Sequence, residues 1–349
     1  MNEACVMRHG GTLLAIETSC DETAAAVIRG GREVCSNVVH TQIPLHQRFG
    51  GVVPEIASRS HVEMIGHVVD RALTDAGMPE GEGLDGVAVT HGPGLVGALL
   101  VGLSFAKAYA FAKGLPFVGV NHIASHIAAN YLTYPDLKPP FVCLVVSGGH
   151  THIVTVDGYD SFRLIGRTRD DAAGEAFDKI ARVLGLPYPG GPALEKLALE
   201  GDGGAVRFHS AFLEGDGYDF SFSGLKTAAI NRLHTAEQRG ETISRADIAA
   251  SFQRTVVEAL TSRAVRAAEA FGGKEPVLSL AGGVSANRAL RQSLAARCAR
   301  AGIRFCCPDF AYCTDNAAMV GSAGYYRLKD HGPDDWSLNA IPNLSFLHE

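Results

Sequence analysis

The chain has 349 residues, 46% hydrophobic and only 19% charged, with 40 glycines and a formal net charge of −6. Those totals exclude a disordered chain and a generally basic nucleic-acid binder, and they suit an α/β protein with many tight turns. The eight cysteines contain no C-x-x-C pair, and Cys306 and Cys307 are adjacent, so they read as reduced thiols rather than as a disulfide framework or zinc knuckle.

The opening MNEACVMRHGGTLLAIE has no signal-peptide or transit-peptide character. No stretch approaches about 18 uninterrupted apolar residues. A soluble cytoplasmic protein, without a membrane partner, is the expectation. The first strand runs from Leu13 to Ile16, followed by a small polar turn, a second strand AAAVI, a Gly-Gly turn and a third strand. IASRSHVEMIGHVVDRALTDAG reads as a helix, LDGVAVTHGPG as strand and turn, LVGALLVGLSFAKAYAFAKG as a helix and PFVGVNH as a strand. In VNHIASHIAANY, His122 and His126 stand four apart, so a helix places both imidazoles on one face, where they could grip one metal ion. A zinc-protease helix carries Glu directly after its first His. Here that position is Ile123, followed by Ala124 and Ser125.

Past the proline-rich YPDLKPPF, FVCLVVSGGHTHIVTVDGYDSFRLIG repeats the opening plan of strand, Gly-rich turn, strand, turn and strand. AAGEAFDKIARVLG (helix), a long insertion, ISRADIAASFQRTVVEALTSRAVRAAEAFG (helix), PVLSLAGGVSAN (strand and turn), RALRQSLAARCARAG (helix) and IRFCCP (strand) complete it. Two copies of one βα plan predict an α/β fold with two actin/sugar-kinase/Hsp70-like domains facing a nucleotide cleft. The expected domains are residues 1–138, with a C-terminal helix from about 316–349 packing back on them, and residues 139–315, with a helical insertion at about 190–245.

In that fold class the turns between the first strands offer backbone N–H groups to phosphates. Ser147, Gly148 and Gly149 form the second such turn, although a plain hairpin turn reads the same way. In SLAGGVSANRALRQSL, Asn287 either contacts an adenine edge or ribose, or simply caps a helix. RDDAAGEAFDK carries Asp170, Asp171, Glu175 and Asp178, the last three near one face if helical, just before the close-approach turn YPGG. In CTDNAAM, Thr314 or Asp315 is a helix cap, or Asp315 is a third ligand for the two histidines. Two histidines and one carboxylate would leave coordination positions open, as in a reactive metal site.

Ten blocks resemble one family in its order: AIETSCDETAAAV, GGVVPEIASRSH, THGPGLVGALLVG, NHIASH, LVVSGGHTHI, RDDAAGEAFDK, YPGGP, DFSFSGLKTA, LAGGVSANRALR and CTDNAAM. They span Ile16 to Met319 and are similar to the bacterial tRNA adenosine threonylcarbamoyltransferases, once called glycoproteases. The resemblance implies transfer of threonylcarbamoyl from threonylcarbamoyl-adenylate to N6 of the adenosine 3′ of the anticodon, in tRNAs reading codons that begin with A. It implies one divalent metal, Fe(2+) or Zn(2+), on His122, His126 and Asp315. It places the adenylate on Val145, Val146, Ser147, Gly148, Gly149, Asp178, Gly191 and Asn287, with Glu195 where some relatives have a ribose-contacting carboxylate. Ala124 and Ser125 depart from the Glu and Gly that bacterial relatives usually carry between the histidines. That puts in doubt a secondary role of that Glu in orienting a ligand or water.

Asp21 and Glu22, in the first turn, are candidates for handling the amine proton, with turn polarity as the alternative. Lys226 faces the phosphate or the tRNA, or is a solvated helix residue. The resemblance also implies a paralogous same-fold subunit and a small ATPase as partners. Four rival readings are a sugar or acid kinase, a metalloprotease, a nucleotide-binding scaffold, and a carbamoyltransferase using carbamoyl-adenylate on a small molecule. The absent H-E-x-x-H weighs against the protease, and the paired histidines weigh against the kinase and the scaffold.

Overall fold

The computed structural model describes residues 10–208, 217–240 and 243–346. Parts of the expected insertion and of the expected C-terminal segment therefore lie outside the described residues. The chain divides into two compact units. The first takes everything up to Pro139, then Asp157–Phe162, then everything from Pro308 onward; the second takes Pro140–Val156 and Arg163–Cys307. The chain thus rejoins the first unit at Pro308, seven positions ahead of Asp315.

The first unit is built from β1 (Thr12–Glu17), β2 (Glu22–Arg29), β3 (Glu33–Thr41), α1 (Ile43–His46), α2 (Pro54–Asp75), β4 (Gly86–Gly92), α3 (Val96–Lys113), β5 (Phe117–Asn121) and α4 (His122–Thr133). Its sheet runs β3-β2-β1-β4-β5. β1, β2 and β3 form an antiparallel meander, whereas β4 and β5 run parallel to β1, as their helical crossovers require. Every residue of β1 is buried, because the sheet is covered on both faces. Leu14 and Ile16 join Val68, Leu73 and Leu103 of α2 and α3 in one core.

The second unit holds β6 (Phe141–Val146), β7 (Thr151–Gly158), β8 (Ser161–Arg167), α5 (Ala173–Val183), α6 (Gly190–Ala198), α7 (Ser223–Arg239), α8 (Arg245–Phe271), β9 (Val277–Ala281), α9 (Arg288–Ala301) and β10 (Arg304–Cys306). The last helix, α10 (Ala317–His331), belongs to the first unit. There it packs on β1, β2 and α4. Its small residues permit the approach: a Cβ on Gly321 would fall 2.5 Å from Ile28, and one on Gly324 would fall 2.4 Å from Ala88.

The second sheet runs β10-β9-β6-β7-β8. Read from β8, this is the order of the first sheet, with β6 antiparallel to β7 and parallel to β9. The repeat expected from the two strand–turn–strand passages is present as one topology used twice, and the α/β class stands. α8 carries the second core, with Phe252, Val256, Leu260 and Ala264 packed with Leu144, Phe177 and Leu280. α3 is long and apolar enough, by length and composition, to cross a membrane; about a third of it is buried.

Candidate functional site

Asn121 ends β5 and caps α4, its Oδ1 accepting from Ile123 N at 2.9 Å and Ala124 N at 3.3 Å. His122 is therefore the first helical residue, and His126 lies one turn on, on the same face, with ring centroids 4.7 Å apart. Asp315 comes from the residues just before α10. Its Oδ1 lies 3.2 Å from His126 Nε2 and 3.6 Å from His122 Nε2. Asn316 is the α10 cap, accepting from Met319 N at 3.0 Å. The cap expected at Thr314 or Asp315 is thus one residue further on, and Asp315 is left to the histidines. One donor atom from each of the three residues lies within 4.8 Å of the others.

A residue that sequence reasoning missed organises this trio. Glu17, at the end of β1, is fully buried. Its Oε1 accepts from Ser19 N at 2.6 Å, and its Oε2 accepts from the Thr90 hydroxyl at 2.7 Å and from His122 Nδ1 at 3.1 Å. A carboxylate only accepts, so Nδ1 of His122 carries a proton, and Nε2 is the nitrogen that faces Asp315. The only sequence signal was an acid closing an otherwise apolar strand. His126 Nδ1 is buried without a hydrogen-bond partner among the described residues.

The charges favour a cation. Burial pushes the Asp315 carboxyl up, but His122 and His126 outweigh it and hold the group down to about 2. Burial also opposes ionisation of Glu17, and His122 reverses that. Burial would lower the His122 imidazole, yet Asp315 and Glu17 raise it to about 9. Two carboxylates kept ionised beside two imidazoles form a donor set that fits a divalent metal. Ala124 and Ser125 are buried on α4, and the Ser125 hydroxyl donates to Asn121 O at 3.0 Å.

Asp21 is buried in the turn after β1, and Glu22 opens β2. Their carboxyls share a hydrogen bond, and Thr41 Oγ1 donates to Glu22 at 3.2 Å. Burial, Asp315 and Asp21 together push Glu22 up to about 10, so it is protonated at neutral pH. His61 of α2 pins this turn: Nε2 donates to Cys20 O at 2.9 Å, and Nδ1 accepts from Thr23 Oγ1 at 2.7 Å.

The remaining predicted residues lie in the second unit. Val145 and Val146 are core residues of β6, so they can offer a ligand only main chain. Ser147 closes the next turn twice, its N–H donating to His150 O at 2.8 Å and its Oγ accepting from His150 N at 3.1 Å. Gly174, at the start of α5, abuts this turn: a Cβ there would fall 2.5 Å from Ser147 O. Gly282 does the same beside Val146, with a φ of +87° that glycine alone adopts readily. Gly148, Gly149, Gly191 and Gly283 differ, because a Cβ on any of them would meet nothing within 4 Å. A Cβ would fit at those four positions, so the space beside that backbone is open.

Asp178 of α5 accepts from Gly191 N at 3.0 Å and also from Gly190. Burial raises its carboxyl, and those two N–H groups work against the shift. Asp171 precedes α5, so it does not share a helix face with Glu175 and Asp178 as expected; it pairs with Lys179 at 3.1 Å and with Lys226 at 2.5 Å. Lys226 is accordingly an ion-paired residue. Glu195 accepts from Arg288 N at 2.6 Å. Asn287 is the cap of α9, accepting from Leu290 N at 2.9 Å while its Nδ2 donates to Gln253 at 2.9 Å.

The family model described as TsaD, tRNA N6-adenosine threonylcarbamoyltransferase, matches residues 33–322. A protein of that name from Caldicellulosiruptor saccharolyticus is 54% identical over 96% of this chain and 98% of its own length. One from Clostridium botulinum is 52% identical over 97% and 98%. Among solved structures, full-length HypF in a phosphate- and nucleotide-bound form superposes with a TM-score of 0.60 at 15% identity, covering 93% of this chain and 47% of HypF. That likeness concerns the fold alone. The identity and coverage of the sequence relatives, with the family match across both units, establish that the chain belongs to the tRNA N6-adenosine threonylcarbamoyltransferase family.

Proposed function

We propose that this chain transfers the threonylcarbamoyl group of threonylcarbamoyl-adenylate to N6 of the adenosine 3′ of the anticodon, in tRNAs reading codons that begin with A, with release of AMP. The observation that carries the reading is the His122–His126–Asp315 trio oriented by buried Glu17. A divalent metal held there, Fe(2+) or Zn(2+), supplies Lewis acidity towards an acyl carbonyl and its developing oxyanion. Glu17 keeps the proton of His122 on Nδ1, so that Nε2 remains a donor. Glu22, protonated, and Asp21, bonded to it, form a proton-handling pair for the amine as its bond to the acyl carbon forms.

In the second unit the open glycines 148 and 149 let the adenylate phosphate reach main-chain N–H groups, and Gly191 leaves room beside the turn that Asp178 holds. Asp178 fixes the Gly190–Gly191 turn, Asn287 sets the start of α9, and Glu195 is a ribose-side carboxylate. A paralogous same-fold subunit and a small ATPase complete the working assembly in the cytoplasm, and the net charge of −6 suits a chain that shares its RNA contacts with partners.

The testing experiment supplies labelled threonine, bicarbonate, ATP, an adenylate-forming enzyme, the partner subunits and tRNA. Wild type is expected to label the anticodon-adjacent adenosine, and His122→Ala to leave it unlabelled. No label with wild type, despite a demonstrated supply of adenylate, would overturn the reading in favour of carbamoyl transfer to a small molecule.

A further inference from the structure

Charge is divided unequally between the two units. The first holds 11 Lys and Arg against 21 Asp and Glu, a net of −10; the second holds 20 against 16, a net of +4. Two exposed arginines of the first unit are tied locally, Arg29 to Glu33 and Arg71 to Asp75. The excess in the second unit is concentrated at one place. α9 carries Arg288, Arg291, Arg297 and Arg300 and no acidic residue, and Arg304 follows on β10, an edge strand.

The helix is anchored by Leu290, Leu294 and Cys298, which are buried. That leaves Arg288 and Arg300 on either side of a solvent face of Gln292, Ala296 and Ala299. Arg288, Arg300 and Arg304 are all exposed. Of the acids nearby, Glu258 pairs with Arg297, Glu195 accepts from the backbone of Arg288, and Glu275 precedes Pro276, whose carbonyl accepts from Arg304 N. The result is a basic ridge about 20 Å long with small side chains between its charges. It begins directly after Asn287, a residue of the proposed adenylate site. Clustered arginine along one helix is the electrostatic footprint of a polyanion, and the small side chains allow a phosphate backbone to come close.

We infer that the RNA backbone lies along the α9–β10 surface of the second unit, with Arg288, Arg300 and Arg304 contacting phosphates. This rests on the reading of tRNA as the acyl acceptor. The net charge of −10 on the first unit disfavours the same backbone there.

The test compares the full-length metal-loaded protein, with its partner subunits, as wild type, as Arg300→Glu/Arg304→Glu, and as Arg29→Glu/Arg71→Glu. The third has the same change in net charge on the first unit. Binding of tRNA is measured from low salt to about 0.2 M salt. The α9–β10 reversal is expected to weaken binding at least about tenfold and to reduce the salt slope by about 2, with metal content unchanged. The first-unit reversal should alter affinity less than about twofold. Arg300→Gln/Arg304→Gln should give an intermediate loss, which guards against a misfolded charge-reversed protein. Unchanged tRNA affinity in both α9–β10 variants would overturn the surface assignment while leaving the acceptor intact. Retained affinity with loss of the partner subunits would also overturn it, and would reassign the ridge to an acidic protein. Failure of wild type to bind or modify tRNA would remove the reading beneath it as well.

Discussion

Replacing Glu17 by glutamine preserves shape and removes one buried negative charge from a group with three donors around it. The new amide oxygen can keep Thr90 and His122, but its NH2 then meets the Ser19 N–H, donor against donor. Losses at an outer-shell partner of this kind weaken metal binding by roughly 10–100-fold, or about 1.4–2.7 kcal/mol. A second effect runs the other way. Glu17 and Asp315 together raise His122 to about 9, and a proton on Nε2 excludes the metal. Near pH 7 that competition lowers the apparent affinity of the wild type. In Glu17→Gln the proton is held less tightly, so the competition shrinks. The affinity gap between the two proteins is expected to be full near pH 9.5 and to narrow to about threefold or less near pH 6.5. The assay is titration of metal-stripped protein with Zn(2+) against a chromophoric chelator at several pH values. A gap that does not change with pH, or no gap at alkaline pH, would refute the coupling of Glu17 to His122.

Asp315→Ala is expected to lose most bound metal and the transfer activity while α10 stays folded, because Asn316 supplies the cap; circular dichroism and metal analysis check both. Gly148→Ala should leave stability within about 0.5 kcal/mol of wild type yet weaken AMP binding at least about tenfold, a fold-change of about 1.4 kcal/mol. Gly174→Ala, whose Cβ would press on Ser147 O, should cost about 1–3 kcal/mol in a denaturant melt; equal stabilities for the two would sink the distinction between open and packed glycines. His152 is depressed to about 4 by burial, by His150 and by Arg167. Between pH 6.5 and 4 the unfolded chain therefore binds more protons than the folded one, and stability falls on acidification. His152→Gln should flatten that acid limb by about 1–2 kcal/mol, discounted for partial exposure.

What the sequence disclosed, and what it withheld, follows from range. The repeated strand–turn–strand plan was legible because strand alternation and Gly-rich turns are local, and both sheets have the same order. The helical placement of His122 and His126 was legible for the same reason. The trio's organiser was not. Glu17 acts on a histidine 105 positions away, and nothing local marks an acid at the end of a strand as buried. The run Thr314-Asp315-Asn316 offered three capping residue types in a row, and only the direction of the chain into α10 selects Asn316. Asp171 falls outside the helix because α5 begins at Ala173, past the two aspartates, where Gly174 meets the Ser147 turn. Lys226 required knowledge of that same displaced Asp171.

The return of the chain to the first unit at Pro308 has a consequence during synthesis. A growing polypeptide possesses Glu17, His122 and His126 before half of it has been made, yet Asp315 and the helix that seats it emerge only after the entire second unit. A half-made chain therefore offers two imidazoles without Asp315, the third member of the trio. Completion of the trio is thus a late event, open only to a polypeptide that has already produced the whole second unit.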